Sequence, residues 1–177
     1  MQGHKKLMDE LGRKSVDEFH AAQKLPLVIV LDEVRSMHNV GSVFRTADSF
    51  LIEAIYLCGY TPQPPHRDIQ KTALGATESV IWKHVGSTLD AVEQLKNEDY
   101  VIISIEQVHG SISLADYAFD KTKKYALIFG NEVNGVQQKV ISLSDASIEI
   151  PQLGSKHSLN IAVSVGVVIW EFAKRFL

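Results

Sequence analysis

Apolar residues follow one another in this chain in two rhythms. Leu7, Leu11 and Phe19 punctuate a charged opening at helical spacing and Pro26 closes it, which predicts a helical lead of one or two short helices over residues 1–25. "LVIVLDEV" at 27–34 is a continuous β-branched run, the pattern of a strand buried on both faces of a parallel sheet. In "SMHNVGSVFRTADSF", 36–50, Val40, Phe44 and Ala47 return to helical spacing; Asn39 falls just before that helix and Arg45 about a turn and a half inside it. "EAIYLCGY" (53–60) predicts a second strand, "TPQPPHRD" (61–68) a Pro-rich loop, "ESVIWKHV" (78–85) a third strand and 88–97 a short helix. "DYVIISIEQ" (99–107), "KYALIFG" (124–130) and "ASIEIPQ" (146–152) supply strands four to six; "VQQKVISLS" (136–144) suits a helix, and 158–176 forms the last one.

Strands alternating with helices along the whole length predict an α/β layer fold: a mostly parallel six-stranded sheet flanked by helices, with ligands expected beyond the carboxyl ends of the strands. No internal repeat, low-complexity tract or composition break interrupts the 177 residues, so the expectation is one domain over 1–177. Apolar residues at 45% and charged residues at 22% are ordinary globular values and argue against a disordered tail or a fibre. The opening has no apolar run of signal-peptide type, and the longest apolar stretch, near 161–170, is too short to span a bilayer; a cytoplasmic protein with no membrane partner is expected. Cys58 is the single cysteine, so it forms no internal disulfide and reads as a core residue.

A net charge of −3 does not announce a nucleic-acid binder. Basic residues do cluster locally, at His4, Lys5 and Lys6, at Arg67 and Lys71, and at Lys121, Lys123 and Lys124. Each cluster alone reads as a solvated face, and only convergence in space would give it meaning.

Three strand exits carry polar cargo beside glycine: "DEVRSMHNVGSVFRTADS" after the first strand, "FGNEVNGV" after the fifth and "IPQLGSKHSLN" after the sixth. Glycine permits close approach of backbone to a ligand, while Asn, Ser, Arg and Glu fix donors and acceptors at chosen points. Simpler roles exist for each: Asn134, Ser158 or Asn160 as helix caps, and Arg45 paired with Asp48 on an exposed face. "GNEVNG" lacks the central glycine of a dinucleotide fingerprint, and there is no GxxxxGK[ST] phosphate loop, no GxSxG nucleophile turn and no HExxH. The seven histidines are scattered without cysteine partners, so no metal is expected.

Taken in order, "NVGSVFRTAD" (39–48), "LIFGNEVNGV" (127–136) and "IPQLGSKHSLNIAVSVGVVIWE" (150–171) resemble the three motifs of the SpoU-type, or TrmH-like, RNA ribose 2′-O-methyltransferases of the SPOUT class, and "KTALGATESV" (71–80) looks like that family's linking segment. The resemblance implies a C-terminal deep trefoil knot, an exception to the rule that chains do not thread their own loops. It implies S-adenosyl-L-methionine held by the knot loops, and a homodimer whose active site draws on both subunits. The nearly all-round apolar character of 161–170 suits a helix buried on more than one face, either in that dimer or in the core of a monomer.

Carried over residue by residue, Asn39 and Arg45 match the polar pair of the first motif, Glu132 the acid of the second, and Ser158 and Asn160 the third. Gly130, Ile150 and Leu159 match positions whose backbone meets the cofactor, and Ile105 and Glu106 are expected on its adenosine side. The implied reaction is transfer of a methyl group to a ribose 2′-hydroxyl of RNA, with tRNA ahead of rRNA. Family accounts make Arg45 the base, but a guanidinium stays protonated above a pKa of about 12, so positioning and stabilisation fit it better. Two other readings stand beside this one: a non-catalytic RNA-binding protein with the same knotted fold, and a methyltransferase with a non-RNA acceptor.

Overall fold

The computed structural model describes residues 4–7 and 9–177. Among the described residues the opening contains a 3-10 turn, Asp9–Leu11, and helix α1, Val16–Ala21, started by a capping box in which Ser15 and Glu18 exchange side-chain-to-backbone hydrogen bonds. There follow β1 Leu25–Asp32, α2 Met37–Ser49, β2 Ile52–Cys58, α3 Arg67–Ala73, α4 Ala76–Ser79, β3 Trp82–Val85 and α5 Thr88–Asn97. The second half adds β4 Tyr100–Ile105, β5 Ile112–Ser113, β6 Lys124–Phe129, α6 Gln138–Leu143, β7 Ala146–Glu149 and α7 Ile161–Ala173.

All seven strands pair in parallel, in the order β3-β2-β1-β6-β4-β7-β5. The β-branched runs occupy the middle of the sheet because both faces are covered there. One face packs against α2, α3, α4 and α7 through Val40, Phe44, Ile69, Ala76, Val165 and Phe172; the other packs against α5 and α6 through Val92, Leu95 and Val140. Leu27, Ile29, Val30 and Leu31 of β1 are wholly buried, as a central strand of a three-layer α/β protein requires. No helix among the described residues is long and apolar enough to cross a membrane.

Four sequence expectations need correction. The sheet has seven strands, not six: β5 is two residues long on the outer edge of β7, too short to leave a periodic signal. Residues 78–85 are not one strand, because Ala76–Ser79 is a helical turn and only Trp82–Val85 pairs with β2. The Pro-rich loop gives way at Arg67 to α3, whose apolar contacts, Ile69 and Ala73, are too few to announce a helix. The last helix begins at Ile161 rather than 158, since Asn160 is its cap and its side chain accepts the Ala162 N–H at 2.9 Å.

Two buried polar groups hold the carboxyl end of β1. The Thr61 hydroxyl accepts the Val34 N–H at 3.1 Å and donates to the Leu31 carbonyl at 3.1 Å. The Asp32 carboxylate, 1% exposed, receives the Thr88 hydroxyl and both the backbone and side-chain N–H groups of Gln137. It therefore ties the exit of β1 to the starts of α5 and α6, and a fully satisfied buried network of this kind fixes where each loop leaves the sheet.

Candidate active site

The three polar strand exits meet. Glu132, in the loop after β6, reaches across to the start of α2, where its carboxylate accepts the backbone N–H groups of Arg35 at 3.0 Å and Ser36 at 3.1 Å and the Asn39 side-chain amide at 3.1 Å. The Asn39 Oδ1 in turn accepts the Asn160 Nδ2–H at 3.1 Å, joining the loop that enters α7. One hydrogen-bonded chain thus links residues about 120 positions apart. Asn39 stands inside the first turn of α2, not before it, because Ser36 is the cap and accepts the Asn39 N–H at 3.3 Å. That placement puts the Asn39 side chain beside the other unpaired donors of the helix start, where an acid is electrostatically favoured.

Burial pushes the Glu132 carboxyl pKa up, but the Arg35, Ser36 and Asn39 donors together with its own backbone N–H outweigh it, leaving the group below the ordinary value of 4.5. A carboxylate depressed in the folded state contributes stability that is fully present above its unfolded value and is lost as pH falls through the folded one. Thermal unfolding followed from neutrality down to about pH 3 should therefore show a loss of stability below the ordinary glutamate range. In Glu132→Gln that acid-side component should be smaller; an unchanged acid limb would show that this carboxylate does not clamp α2.

Beside this chain lies a cavity of about 750 Å³ outside the carboxyl ends of β4, β6 and β7. Ile105 and Glu106 line it from β4, Gly130 and Glu132 from the β6 loop, and Ile150, Ser158, Leu159 and Asn160 from the β7 loop. Every residue anticipated for cofactor contact is there. Its size, and a lining rich in hydrogen-bonding groups interspersed with apolar residues such as Ile105, Ile148 and Ile150, suit a nucleoside-sized ligand. Glu106 is aimed by the Val136 N–H at 2.9 Å and the Gln107 N–H at 2.9 Å, which leaves carboxylate lone pairs for ligand hydroxyls. Gly130 has no room for a side chain: a Cβ would lie 2.0 Å from the Gly135 carbonyl carbon and 2.1 Å from the Val136 nitrogen. The backbone folded over that glycine forms the floor of the cavity.

Arg45 is not brought to this cavity. It is exposed on α2, six residues beyond Asn39, which turns it about 120° around the helix axis and about 9 Å along it. Nor does it pair with Asp48, whose carboxylate takes the Ser79 hydroxyl instead.

Asn131 is a positioning residue that the motif reading passed over. Its Nδ2 donates to the Glu33 carbonyl at 2.7 Å, its Oδ1 accepts the Val133 and Asn134 N–H groups, and its backbone bridges Gly135 in both directions. Those bonds shape the loop that carries Glu132. The signal available was an Asn directly after a strand and three residues before another Asn, which reads as a turn without revealing its partners. Asp32 had a clearer sign, a charge inside an apolar run predicted to be buried on both faces.

Comparison with known proteins agrees with this architecture. The chain is 27% identical over 97% of its length to a 23S rRNA (guanosine-2'-O-)-methyltransferase, RlmB, of Vibrio parahaemolyticus, of which it covers 68%. It is 26% identical over 89% of its length to a tRNA (guanosine(18)-2'-O)-methyltransferase of Aquifex aeolicus, of which it covers 74%. The AdoMet-bound rRNA methyltransferase of Sinorhizobium meliloti superposes with a TM-score of 0.80 at 25% identity, over 90% of this chain and 60% of that one. This chain thus spans about three fifths of that neighbour's length. The sequence profile of the SpoU rRNA Methylase family matches residues 26–170, which include all three polar strand exits, and the chain belongs to that family.

Proposed function

We propose that this protein transfers the methyl group of S-adenosyl-L-methionine to a ribose 2′-hydroxyl of RNA, acting as a single methyltransferase domain with residues 1–25 as its lead. The observation that carries the reading is the Glu132–Asn39–Asn160 chain, which joins the three motif segments at the mouth of a cavity of about 750 Å³. The relatives support both tRNA and rRNA as acceptors, and tRNA is placed first.

The cofactor supplies an electrophilic methyl on a positively charged sulfur. Gly130, Ile150 and Leu159 would hold it through backbone and apolar contact, with Ile105 and Glu106 on the adenosine side. Ser158 and Asn160 face the acceptor, and Glu132 with Asn39 sets the distance between their loops. These residues would hold the ribose 2′-oxygen in line with that methyl group while the hydroxyl proton leaves to water or to a neighbouring phosphate. Orientation of the two reactants provides much of the rate. Arg45, permanently protonated, would hold the phosphate beside the target ribose and stabilise charge on its oxygen.

A knotted C-terminus is part of the same reading. It is supported by the position of β7 between β4 and β5, and by the Gln107 side chain reaching the His157 carbonyl at 3.3 Å, which sets the loop after β7 against the exit of β4. A homodimer is supported by Val163, Val167 and Trp170, which form an exposed stripe on α7 at helical spacing, 39–53% accessible, while the opposite face is buried. Arg45, remote from its own cavity, would then serve the partner's. Val163→Asp combined with Trp170→Glu should yield monomers in sedimentation equilibrium and abolish transfer; an unchanged dimer would exclude this stripe as the interface. The cytoplasm is the compartment that fits these substrates.

The deciding experiment is incubation with radiolabelled S-adenosylmethionine and, separately, total tRNA and ribosomal RNA. Label in one pool, at a linkage resistant to alkali, would establish the reaction and its substrate. Cofactor binding without label in either pool would point to another acceptor, and RNA binding without cofactor binding to a non-catalytic protein.

A further inference from the structure

Tyr60 is 86% exposed, while its immediate neighbours in the chain are held tightly. On one side Gly59 adopts φ +57°, donates its N–H to the Val85 carbonyl at 3.0 Å, and shares its carbonyl with His84 Nε2 at 2.9 Å. A Cβ on Gly59 would press on the Glu33 side chain at 2.9 Å, so this turn lies directly against the exit of β1. On the other side Thr61 is 2% exposed and doubly bonded to the backbone of the β1 segment. The chain thus fixes the backbone beneath an aromatic ring and gives the ring itself almost nothing to pack against.

Basic groups stand on the same side. Arg67 and Lys71 are exposed on α3, which follows the Tyr60 loop, and Thr72 of α3 donates to the His38 carbonyl at 2.9 Å at the start of α2. Arg35 is exposed between β1 and α2, next to the Glu132 clamp. Among the described residues the only ion pairs are Lys71–Asp68 and Lys174–Glu171, so the guanidinium groups of Arg35 and Arg67 have no carboxylate oxygen within 4 Å. The Lys121–Lys124 cluster lies elsewhere, since Lys124 opens β6 at the amino end of the sheet and donates to the Glu98 carbonyl. Two exposed, unpaired cations on the segments that follow β1 and β2 are therefore Arg35 and Arg67, which flank Tyr60 along the chain, while Lys71 is neutralised by Asp68.

We infer that Tyr60 is a stacking platform for an unpaired base of the RNA beside the methylated nucleotide, with Arg67 and Arg35 on the adjoining phosphates. An exposed ring on a fixed backbone loses little entropy when a base stacks on it, and an unpaired guanidinium nearby takes the phosphate that accompanies that base. Single-stranded rather than duplex RNA fits, because only an unstacked base offers its face. The inference rests on RNA being the acceptor.

The test uses the full-length protein with total tRNA and ribosomal RNA, taking forward whichever the wild type binds and methylates. Tyr60→Ala should raise the KM for RNA about 5-fold to 100-fold, the range of a lost base–aromatic stack. Its kcat and its calorimetric affinity for S-adenosylmethionine should stay near wild type. Tyr60→Phe and Tyr60→Trp should remain within about threefold of the wild-type KM, since both keep the aromatic face. The tryptophan variant should also show RNA-dependent quenching beyond that of Trp82 and Trp170 in the wild type. Arg67→Ala should weaken binding and reduce the salt slope by about one. An unchanged KM in Tyr60→Ala overturns the inference while leaving the methyltransferase reading intact. A fall in sedimentation mass in Tyr60→Ala also overturns it, because the ring would then belong to a subunit contact. A wild type that neither binds nor methylates either RNA removes the functional reading, and this inference with it.

Discussion

Arg45→Ala is expected to fold, keep the wild-type oligomeric state and bind S-adenosylmethionine as the wild type does, and to lose methyl transfer by about two to four orders of magnitude. The fold should be indifferent because Arg45 is exposed and its side chain makes no hydrogen bond or ion pair among the described residues; the Ser49 hydroxyl at 2.9 Å uses its backbone carbonyl, which the substitution keeps. Cofactor affinity should be indifferent because Arg45 does not line the cavity beside it. On the proposed mechanism what is lost is a fixed positive charge at the ribose oxygen, whose value rises once water is excluded. Arg45→Lys separates two roles: a lysine restores charge without the planar fork, so partial recovery of kcat indicates charge stabilisation and no recovery indicates bidentate phosphate holding. Mixing Arg45→Ala with a second inactive variant, Asn160→Ala, adds a test of subunit sharing. If Arg45 serves the partner's cavity, each mixed dimer should regain one working site, about half the activity of a wild-type dimer, and random exchange makes about half of the dimers mixed. Near-normal turnover by Arg45→Ala alone would remove Arg45 from the mechanism.

The second large effect concerns a hydrogen atom. Gly130→Ala should abolish detectable cofactor binding in calorimetry and lower the unfolding midpoint. The added methyl would meet the backbone of Gly135 and Val136 at 2.0–2.4 Å, and backbone cannot swing aside as a side-chain tip can. To admit it, the Asn131–Gly135 bridge must open, which releases the Asn131 turn and with it the Glu132 clamp on α2. Overpacking of this kind costs about 1–3 kcal/mol or more where the surroundings cannot shift. Gly154→Ala is the matched control: it lies in the loop after β7, has no positive φ, and its Cβ would meet nothing within 4 Å. It should behave as wild type. Cofactor binding retained in Gly130→Ala would mean that the β6 loop does not form the floor of the site.

These two substitutions also separate what pattern reveals from what contact reveals. The β-branched runs of β1, β4 and β6 and the helical spacing of α2, α5 and α7 were legible because burial on a sheet or along a helix face imposes a period on neighbouring residues. The polar strand exits were legible because Asn39, Glu132 and Asn160 place donors and acceptors beside glycine at the carboxyl ends of strands, where ligands of such sheets bind. By itself, then, the sequence determined the layer architecture, the parallel sheet and the set of residues available for chemistry, since these depend on local period and residue type. Tertiary structure alone decided that Glu132 clamps the start of α2, that Asn131 and Asp32 hold the loops, that β5 joins the edge, and that Arg45 stands away from its own cavity. Each of those depends on distances between segments up to about 120 residues apart, and no local pattern encodes such a distance.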